Sequence, residues 1–303
     1  MIIDPRHLEQ ISTIVQVGTL QGAADKIGTS QPALSRMIRT LESRIGQPIF
    51  ERDRRPLRPT SLGLELAGQG RAILNARERA VEMVDQSQRG VFGVLKIGAP
   101  PFICERLVAE AISDFLAKRP NIRIDLFPDY FPELHRRLFQ NEIDIIVGPA
   151  KAAGPKFSNI LMEPLLEDRN LIVGRAGHPI LSGEITDNEL SAATWVGHSD
   201  RSMLRHDMET ALRLLGVRDL RFAFQSESAG AVMELVRRSD YLTVLPRYAV
   251  RNETEDSLAI LPVSLPTADQ TISIMSRINY EETKLITEFK AHLRAHVSAF
   301  YSS

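Results

Sequence analysis

The chain of 303 residues is predicted to be an α/β protein, with an all-helical N-terminal part and a larger bilobed, doubly wound part. Up to about residue 90, apolar residues recur at helical spacing. Beyond Gly90 and Gly93, short apolar strands alternate with helices. Such alternation favours parallel pairing with right-handed crossovers. We therefore expect a domain over residues 1–60, a linker helix over 61–90 and a ligand-binding body over 91–303.

Composition bounds the protein class. Apolar content of 43% and charged content of 25% are typical of globular proteins. No run of ~18 apolar residues occurs, so no membrane partner is expected. The start MIIDPRHLEQ lacks the cationic and apolar regions of a signal peptide, which predicts a cytoplasmic protein.

Charge is distributed unevenly along the chain. Residues 1–90 carry 13 Lys and Arg against 10 Asp and Glu, whereas the remainder carries 24 against 28. This mild asymmetry agrees with a basic head on a slightly acidic body, without establishing nucleic-acid binding.

Neither a metal site nor a catalytic site is expected. The single cysteine, Cys104, excludes an internal disulfide, and we interpret it as a buried apolar residue, with redox sensing as the alternative. His206 and Asp207 are neighbours that point different ways on a helix, which does not favour a metal site. No nucleophile elbow, phosphate loop or dinucleotide fingerprint occurs, so neither enzymatic activity nor a cofactor is predicted.

Three short helices are predicted at the N-terminus. The first spans Asp4 to Val17. In the second, Ala23, Ala24 and Ile27 share one face, and Gly28 ends the helix. Thr29 and Ser30 are cap candidates for the third helix, which runs to about Ile45 with Pro32 in its first turn. Its apolar face comprises Leu34, Ile38, Leu41 and Ile45.

The opposite face of the third helix is polar and cationic. Gln pairs with adenine and Arg with guanine in a major groove, so this face predicts DNA contact. An ordinary solvated helix pair is the alternative. The candidate DNA-binding residues on this helix are Ser30, Gln31, Pro32, Ala33, Ser35, Arg36 and Arg39.

The string SQPALSRMIRTLE, followed by IGQPIFER and preceded by AADKIG, closely resembles the N-terminal domain of LysR-type transcriptional regulators. The resemblance implies a winged helix-turn-helix that binds double-stranded promoter or operator DNA. It places a wing at Glu51 to Arg58, where Arg52 and Arg54 are further candidates for contact with phosphate or the minor groove.

A long helix is predicted from Thr60, as its cap, to about Gln88. Its apolar stripe is Leu62, Leu66, Ile73, Ala80 and Val84. The same helix of a second copy is the expected cover, and the chain's own body is the alternative. Gly63, Gly68 and Gly70 lower the helix propensity at the N-terminal end of this helix. The family resemblance favours a homodimer through this helix and a homotetramer overall.

Two lobes are expected in the body. The first, about residues 91–162 and 267–303, contains strands at Val94–Gly98, Arg123–Pro128, Ile143–Val147 and Thr271–Ser276 and helices at Arg106–Lys118, Tyr130–Gln140 and Glu282–Phe300. The second, about 163–266, contains strands at Asn170–Gly174, Thr194–Gly197, Leu220–Phe224 and Tyr241–Leu245 and helices at Met203–Leu215 and Ala229–Arg238. Leu261–Pro266 is the expected return crossover.

IDLFPDYFPELHRRLFQNEIDIIVG, the HP of AGHPIL, TWVG and VMELVRRSDYLTVLP resemble the effector-binding domain of the same family. The resemblance therefore spans nearly the whole chain and implies a small-molecule effector between the lobes. Solute-binding proteins share this plan, so a cytoplasmic solute-binding protein without regulatory DNA binding is the alternative function.

Ligands of doubly wound sheets lie beyond the carboxyl ends of the strands, which predicts where the effector binds. Serines at helix starts favour an anionic effector, although Glu227 suits a cationic or hydroxylated one and each serine suits a helix cap. The candidates are Pro100, Pro101, Phe102, Phe127, Tyr130, Gly148, Pro149, His198, Ser199, Arg201, Ser202, Met203, Ser226, Glu227 and Pro246.

One feature departs from the family pattern. Family members that bind carboxylates often carry Ser or Thr after the first strand, whereas this chain carries Pro100 and Pro101. Proline brings neither a hydroxyl nor a backbone N–H. The first lobe is therefore expected to offer an aromatic wall, from Phe102, Phe127, Tyr130 and Phe131, rather than a carboxylate site.

Overall fold

The computed structural model describes residues 2–51, 57–88, 93–153, 159–251, 257–266, 269–278 and 281–301. The chain divides into two compact units, Met1–Val91 with Phe139–Glu142, and Phe92–Leu138 with Ile143–Ser303. No helix among the described residues is long and apolar enough to cross a lipid bilayer.

The first unit begins with three helices, α1 (Pro5–Val17), α2 (Leu20–Ile27) and α3 (Gln31–Ile45). The side chains of Asp4, Thr19 and Ser30 cap their N-termini. A glycine with positive φ follows each helix, including the predicted Gly28 at φ 77°. Local capping signals therefore account for all three boundaries.

The core of this unit contains Ile11, Ile14, Ala23, Ala24, Leu34, Ile38, Leu41 and Ile49. Ile27, predicted on one face with Ala23 and Ala24, is 36% exposed and lies outside this core. Ile27 is the last residue of α2, immediately before the left-handed Gly28. Only the two alanines of that predicted face enter the core.

A carboxylate holds the segment after α3. Glu42 accepts hydrogen bonds from the backbone N–H groups of Ile49 (2.7 Å) and Phe50 (3.2 Å). Phe50 then forms an antiparallel bridge with Pro59 at the base of the predicted wing. Arg58 is exposed, whereas the candidates Arg52 and Arg54 lie outside the described residues.

The long helix α4 (Ser61–Gln88) is capped as predicted, with Thr60 Oγ1 accepting from the N–H of Gly63 at 3.1 Å. Two of its glycines permit close packing. A Cβ at Gly63 would lie 2.1 Å from the Ile49 carbonyl oxygen, and one at Gly70 would lie 1.9 Å from that of Leu8. These glycines are required by contacts with the preceding elements, while Gly68 faces open space.

The predicted stripe on α4 is covered only in its first half. Leu62, Leu66 and Ile73 are half-buried, whereas Ala80 is exposed. Further along, Val81, Met83 and Val84 are 63%, 66% and 59% exposed. The end of the helix thus presents an apolar surface that its own unit does not cover.

The second unit contains nine described strands. They are β1 (Gly93–Ala99), β2 (Ile122–Pro128), β3 (Ile145–Pro149), β4 (Ile160–Arg175), β5 (Thr194–His198), β6 (Arg221–Ser226), β7 (Tyr241–Pro246), β8 (Leu258–Ile260) and β9 (Asp269–Arg277).

Helices lie between and after these strands. They are α5 (Pro101–Ile103), α6 (Ala109–Ala117), α7 (Glu133–Phe139), α8 (Asp187–Ala192), α9 (Met203–Leu214), α10 (Ala229–Arg237), α11 (Arg247–Val250) and α12 (Lys284–Tyr301). A π-helical turn over Cys104–Val108 joins α5 to α6.

The strand order is β2-β1-β3-β9-β4-β7-β5-β6, with β8 also paired to β4. Within each lobe the pairing is parallel, as β1 pairs with β2 and β3, and β5 pairs with β6 and β7. The exceptions are β4 and β9, which pair antiparallel with each other and with their neighbours. These two strands make the sheet mixed rather than wholly parallel.

The strand that leads into the second lobe is longer than the predicted Asn170–Gly174. Strand β4 pairs with β9 over Ile160–Arg169 and continues into the second lobe, where Asn170–Val173 pair with β7. The predicted return crossover Leu261–Pro266 forms no strand, and β9 pairs with β4 from Asp269.

Two helix starts also differ. The helix predicted from Arg106 begins at Pro101, because proline suits a first helical position. The helix predicted from Tyr130 begins at Glu133. Pro132 explains this delay, since the residue before a proline is disfavoured in helical conformation.

Candidate functional site

The polar face of α3 is accessible. Leu34, Ile38 and Leu41 are buried, whereas Arg36 and Arg39 on another face are exposed. Gln31 and Ser35 are half-buried. Arg36 and Gln31 therefore do not belong to the core of this unit.

The start of α3 combines a cap with this exposed edge. Ser30 Oγ accepts a hydrogen bond from the N–H of Ala33 at 3.3 Å, so the serine acts as the helix cap. Pro32 in the first turn is exposed, and Ala33 is half-buried. The first turn thus presents small side chains ahead of the two arginines.

In the second unit a cavity of about 270 Å³ lies between the lobes. Most of the predicted effector residues line it. They are Pro100, Phe102, Tyr130, Pro149, His198, Arg201, Ser202, Met203, Ser226, Glu227 and Pro246.

Four predicted residues do not line this cavity. Pro101 lies in an adjoining cavity of about 400 Å³. The guanidinium carbon of Arg137 lies over the ring of Phe127, 5.7 Å from the ring centre. Gly148 packs behind Pro100, and the hydroxyl of Ser199 donates to Glu227 at 3.1 Å.

Phe131, predicted as part of the aromatic wall, also lines the cavity. Further lining residues were not predicted. They are Ile103, Pro132, Ala152, Leu204, Tyr248, Gln270 and Ile272. Gln270 and Ile272 belong to β9, whose antiparallel insertion beside β4 brings them to the cavity. The prediction considered only residues that follow parallel strands. Ile103, Pro132, Leu204 and Tyr248 stand one or two residues from predicted lining residues, so their positions in the sequence are a local signal.

His198 is a buried imidazole of the cavity wall. Its Nε2 lies 2.8 Å from the Val244 carbonyl oxygen, and its ring contacts Phe102 edge-on at 5.1 Å between centres. Burial lowers the pKa of His198 to about 4, so the ring is neutral and Nε2–H donates to that carbonyl. Its Nδ1 accepts no hydrogen bond from any described residue.

Arg201 is paired with two carboxylates at the cavity mouth. Its guanidinium lies 3.0 Å from Asp129 Oδ1 and 3.7 Å from Glu227 Oε1. It also lies 5.6 Å from the centre of the Tyr130 ring. Burial, followed by the negative charge of Glu227, raises the pKa of Tyr130 to about 12, so this phenol stays protonated.

The serines at the helix starts act as caps. Ser202 Oγ accepts from the N–H of Leu204 at 3.2 Å, and Ser228 Oγ accepts from that of Ala231 at 3.2 Å. Glu105 Oε2 accepts from the N–H of Gly230 at 3.1 Å in the first turn of α10. Groups of the protein thus already occupy the helix starts on which the anionic interpretation rested.

Cys104 is buried, with its Sγ 3.2 Å from the Ala99 carbonyl oxygen. Burial raises its pKa to about 12, and this disfavours the thiolate that oxidation requires. The packing therefore supports the interpretation of Cys104 as a buried apolar residue.

The sequence also contains a pair of histidines at a spacing that suits a metal site. His292 and His296 stand at H-x-x-x-H spacing on α12. His292 Nε2 contacts the Ala111 carbonyl oxygen at 3.0 Å, and His296 Nδ1 contacts Asp114 at 3.2 Å. Among the described residues no group of three or more His, Cys, Asp or Glu converges for a metal ion.

Comparison with known proteins places both units in one family. The bacterial regulatory helix-turn-helix protein, lysR family, matches residues 5–64, and the LysR substrate binding domain matches residues 88–298.

Characterised relatives span most of the chain. The HTH-type transcriptional regulator GalR of Pseudomonas putida is 27% identical over 277 residues, covering 91% of this chain and 70% of that protein. The regulator GbpR of Rhizobium radiobacter is 30% identical over 235 residues, covering 76% and 77%. The relatives are thus regulators rather than enzymes or simple solute-binding proteins.

Solved structures share the fold. A full-length OxyR variant of Pseudomonas aeruginosa has a TM-score of 0.62 at 20% identity, covering 100% of this chain and 97% of that one. Full-length CbnR, crystallised with its target DNA, has a TM-score of 0.61 at 18% identity, covering 97% and 100%. From the matches to both units and the relatives along most of its length, the chain belongs to the LysR family of DNA-binding transcriptional regulators.

Proposed function

We propose that the exposed edge of α3 reads operator DNA through Gln31, Arg36 and Arg39, while Ser30, Pro32, Ala33 and Ser35 shape the helix start. The observation that carries this proposal is the exposure of both arginines on a helix whose other face is buried. Bidentate Arg and Gln contacts specify bases, and basic side chains neutralise phosphates. Arg52 and Arg54 of the wing would add phosphate or minor-groove contacts.

The proposed domains are the winged helix-turn-helix over residues 1–60, the linker helix over 61–90 and the effector domain over 91–303. Lobe I comprises about residues 91–162 and 267–303, and lobe II about 163–266. The exposed Val81, Met83 and Val84 support pairing of α4 with a second copy. A homodimer through this helix, and a homotetramer through further contacts of the body, is the proposed assembly, acting in the cytoplasm.

The cavity between the lobes is the proposed effector site. It combines an apolar wall with a few polar groups, as small-molecule sites do. If the effector has different affinities for the DNA-bound protein and for the free protein, its binding changes the protein's affinity for DNA. The DNA must then change the affinity for the effector by the same factor.

Fluorescence anisotropy with a palindromic duplex from upstream of the protein's own gene tests the recognition helix. The double variant Gln31→Ala, Arg36→Ala is expected to lose at least about 30-fold in affinity, since two bidentate contacts contribute about 1–3 kcal/mol each. Each lost phosphate contact should reduce the salt slope by about 1.

Arg44→Ala is the matched control. Arg44 is an exposed arginine in the last turn of α3, away from the first turn, and it donates to the Ile2 carbonyl oxygen at 3.2 Å. Its variant should bind within about twofold of the wild type. Unchanged DNA affinity in the double variant would refute the assignment of α3.

A further inference from the structure

Several polar groups of the cavity wall also bond within the protein. Ser202 accepts from the N–H of Leu204 at 3.2 Å, and Ser226 accepts from that of Ser228 at 3.1 Å. The Gln270 amide donates to Asn170 Oδ1 at 3.1 Å. Accepting these bonds leaves each serine its own O–H to donate, so the charges of the wall decide whether an anion is favoured.

Positive charge at the cavity is also balanced. Arg201 is the one cation among the described lining residues, and Asp129 and Glu227 both face its guanidinium. Lys151, beside the lining residue Ala152, is paired with Asp207 at 2.6 Å. A ligand carboxylate would have to compete with these acids for a cation.

The mouth adds further negative charge. The adjoining cavity shares Tyr130, Arg201 and Glu227 with the main one and also contains Glu105 and Asp129. Its described lining thus carries three carboxylates against one guanidinium, while Arg137, outside that lining, lies 3.6 Å from Asp129. Like charges at a few ångströms repel, so an approaching anion is disfavoured.

The Glu227 carboxylate is an acceptor that a ligand in the cavity can reach. It is half-exposed and shared with Ser199 and Arg201. His198 lines the cavity but is 2% exposed, and its Nδ1 is buried without a donor among the described residues. An N–H donor on a ligand can therefore bind Glu227, whereas a ligand carboxylate would be repelled by it.

The rest of the wall is apolar. Lobe I contributes Pro100, Phe102, Phe131, Pro132 and Pro149, and lobe II contributes Met203, Leu204 and Pro246. At about 270 Å³ the cavity suits a small compound. A ring or branched chain fills such a wall better than a flexible polar molecule.

We propose that the effector is an amine or amide on an aromatic or branched apolar body, with a head that donates hydrogen bonds and carries no negative charge. This inference rests on the proposed role of the cavity as the effector site. The head faces Glu227, and the body lies against the prolines and Phe102. The anionic effector favoured by the serine pattern is replaced by this class.

The test compares probes that share a ring and differ in the head: benzylamine as its ammonium ion, benzamide and benzoate. Binding to the full chain, without DNA, is measured by calorimetry or ligand-observed NMR. Millimolar affinities suffice for compounds of this size. Benzylammonium and benzamide should each bind at least about tenfold more tightly than benzoate, a difference of about 1.4 kcal/mol.

Glu227→Gln should weaken benzylammonium binding by at least about threefold and leave benzamide within about twofold, because only the ammonium loses a countercharge. The control Glu234→Gln makes the same change on the exposed part of α10, where Glu234 pairs with Arg237 and Arg238. It should alter neither affinity. Melting temperatures of both variants establish that they fold.

The inference is overturned if benzoate binds as tightly as the other probes, or if none binds up to about 10 mM. It is also overturned if Glu227→Gln leaves benzylammonium binding unchanged. DNA does not enter this assay, so the result is separate from the DNA-binding proposal. A chain that binds benzylammonium but no operator would refute the regulatory mechanism alone.

Discussion

Both lobes contribute apolar side chains to one cavity, and lobe II contributes most of the polar ones. Lobe I supplies prolines and aromatic rings from the segments after β1, β2 and β3. Lobe II supplies His198, Arg201, Ser202, Ser226 and Glu227 after β5 and β6. Both lobes use parallel strands whose carboxyl ends face the cavity, so the sequences of the loops, not the topology, set this difference. Specificity is expected from lobe II and apolar contact from lobe I.

The largest effect should come from the apolar wall. Phe102→Ala removes a ring that is 8% exposed and packs on His198, and this should lower the free energy of unfolding by about 3–5 kcal/mol. Denaturant unfolding measures the loss. The control is Phe224→Ala on β6, where the ring is 37% exposed and the cost should stay below about 1 kcal/mol. Equal losses would mean that Phe102 is not a packing residue of the wall.

A smaller effect is expected from the polar wall, in the dependence of the free energy of unfolding on pH. His198 has a folded-state pKa of about 4, below the ordinary 6.5, because it is buried. Between these values the unfolded chain binds a proton that the folded chain does not. Stability should therefore fall as pH drops from about 6.5 to 4, by roughly 2–3 kcal/mol.

The control for this pH effect is His198→Gln, whose amide replaces the donor to Val244 but does not titrate. Asp168 is buried with a pKa raised to about 6, and its titration opposes that of His198. Subtracting the variant's stability curve from that of the wild type removes this contribution. A difference that does not change with pH would contradict the buried neutral imidazole.

The smallest effect concerns contacts that join the lobes. Lys151 of lobe I lies 2.6 Å from Asp207 of lobe II, at a partly exposed site. Asp207→Asn should lower the free energy of unfolding by less than about 1 kcal/mol, since water screens such pairs. Asn188→Asp, a charge change on the exposed start of α8, serves as the control. A loss above about 2 kcal/mol would show that the pair is more than a surface contact.

Much of the fold follows from local patterns. The N-terminal helices are bounded by Ser30 and Gly28 because side-chain caps and left-handed glycines act within a few residues of one another. The same periodicity separates the buried Leu34 from the exposed Arg36. The position of the candidate DNA-binding edge on α3 could therefore be predicted from the sequence.

Contacts between distant segments were decided by the tertiary structure. Gln270 and Ile272 reach the cavity because β9 inserts antiparallel beside β4, and no short-range signal encodes that pairing. Arg201 meets Asp129 across 72 residues of chain. The sequence by itself determined which residues are caps, strands and polar faces. Only the assembled lobes decided which charges neutralise one another, because a charge pairs with whatever the packing places within a few ångströms.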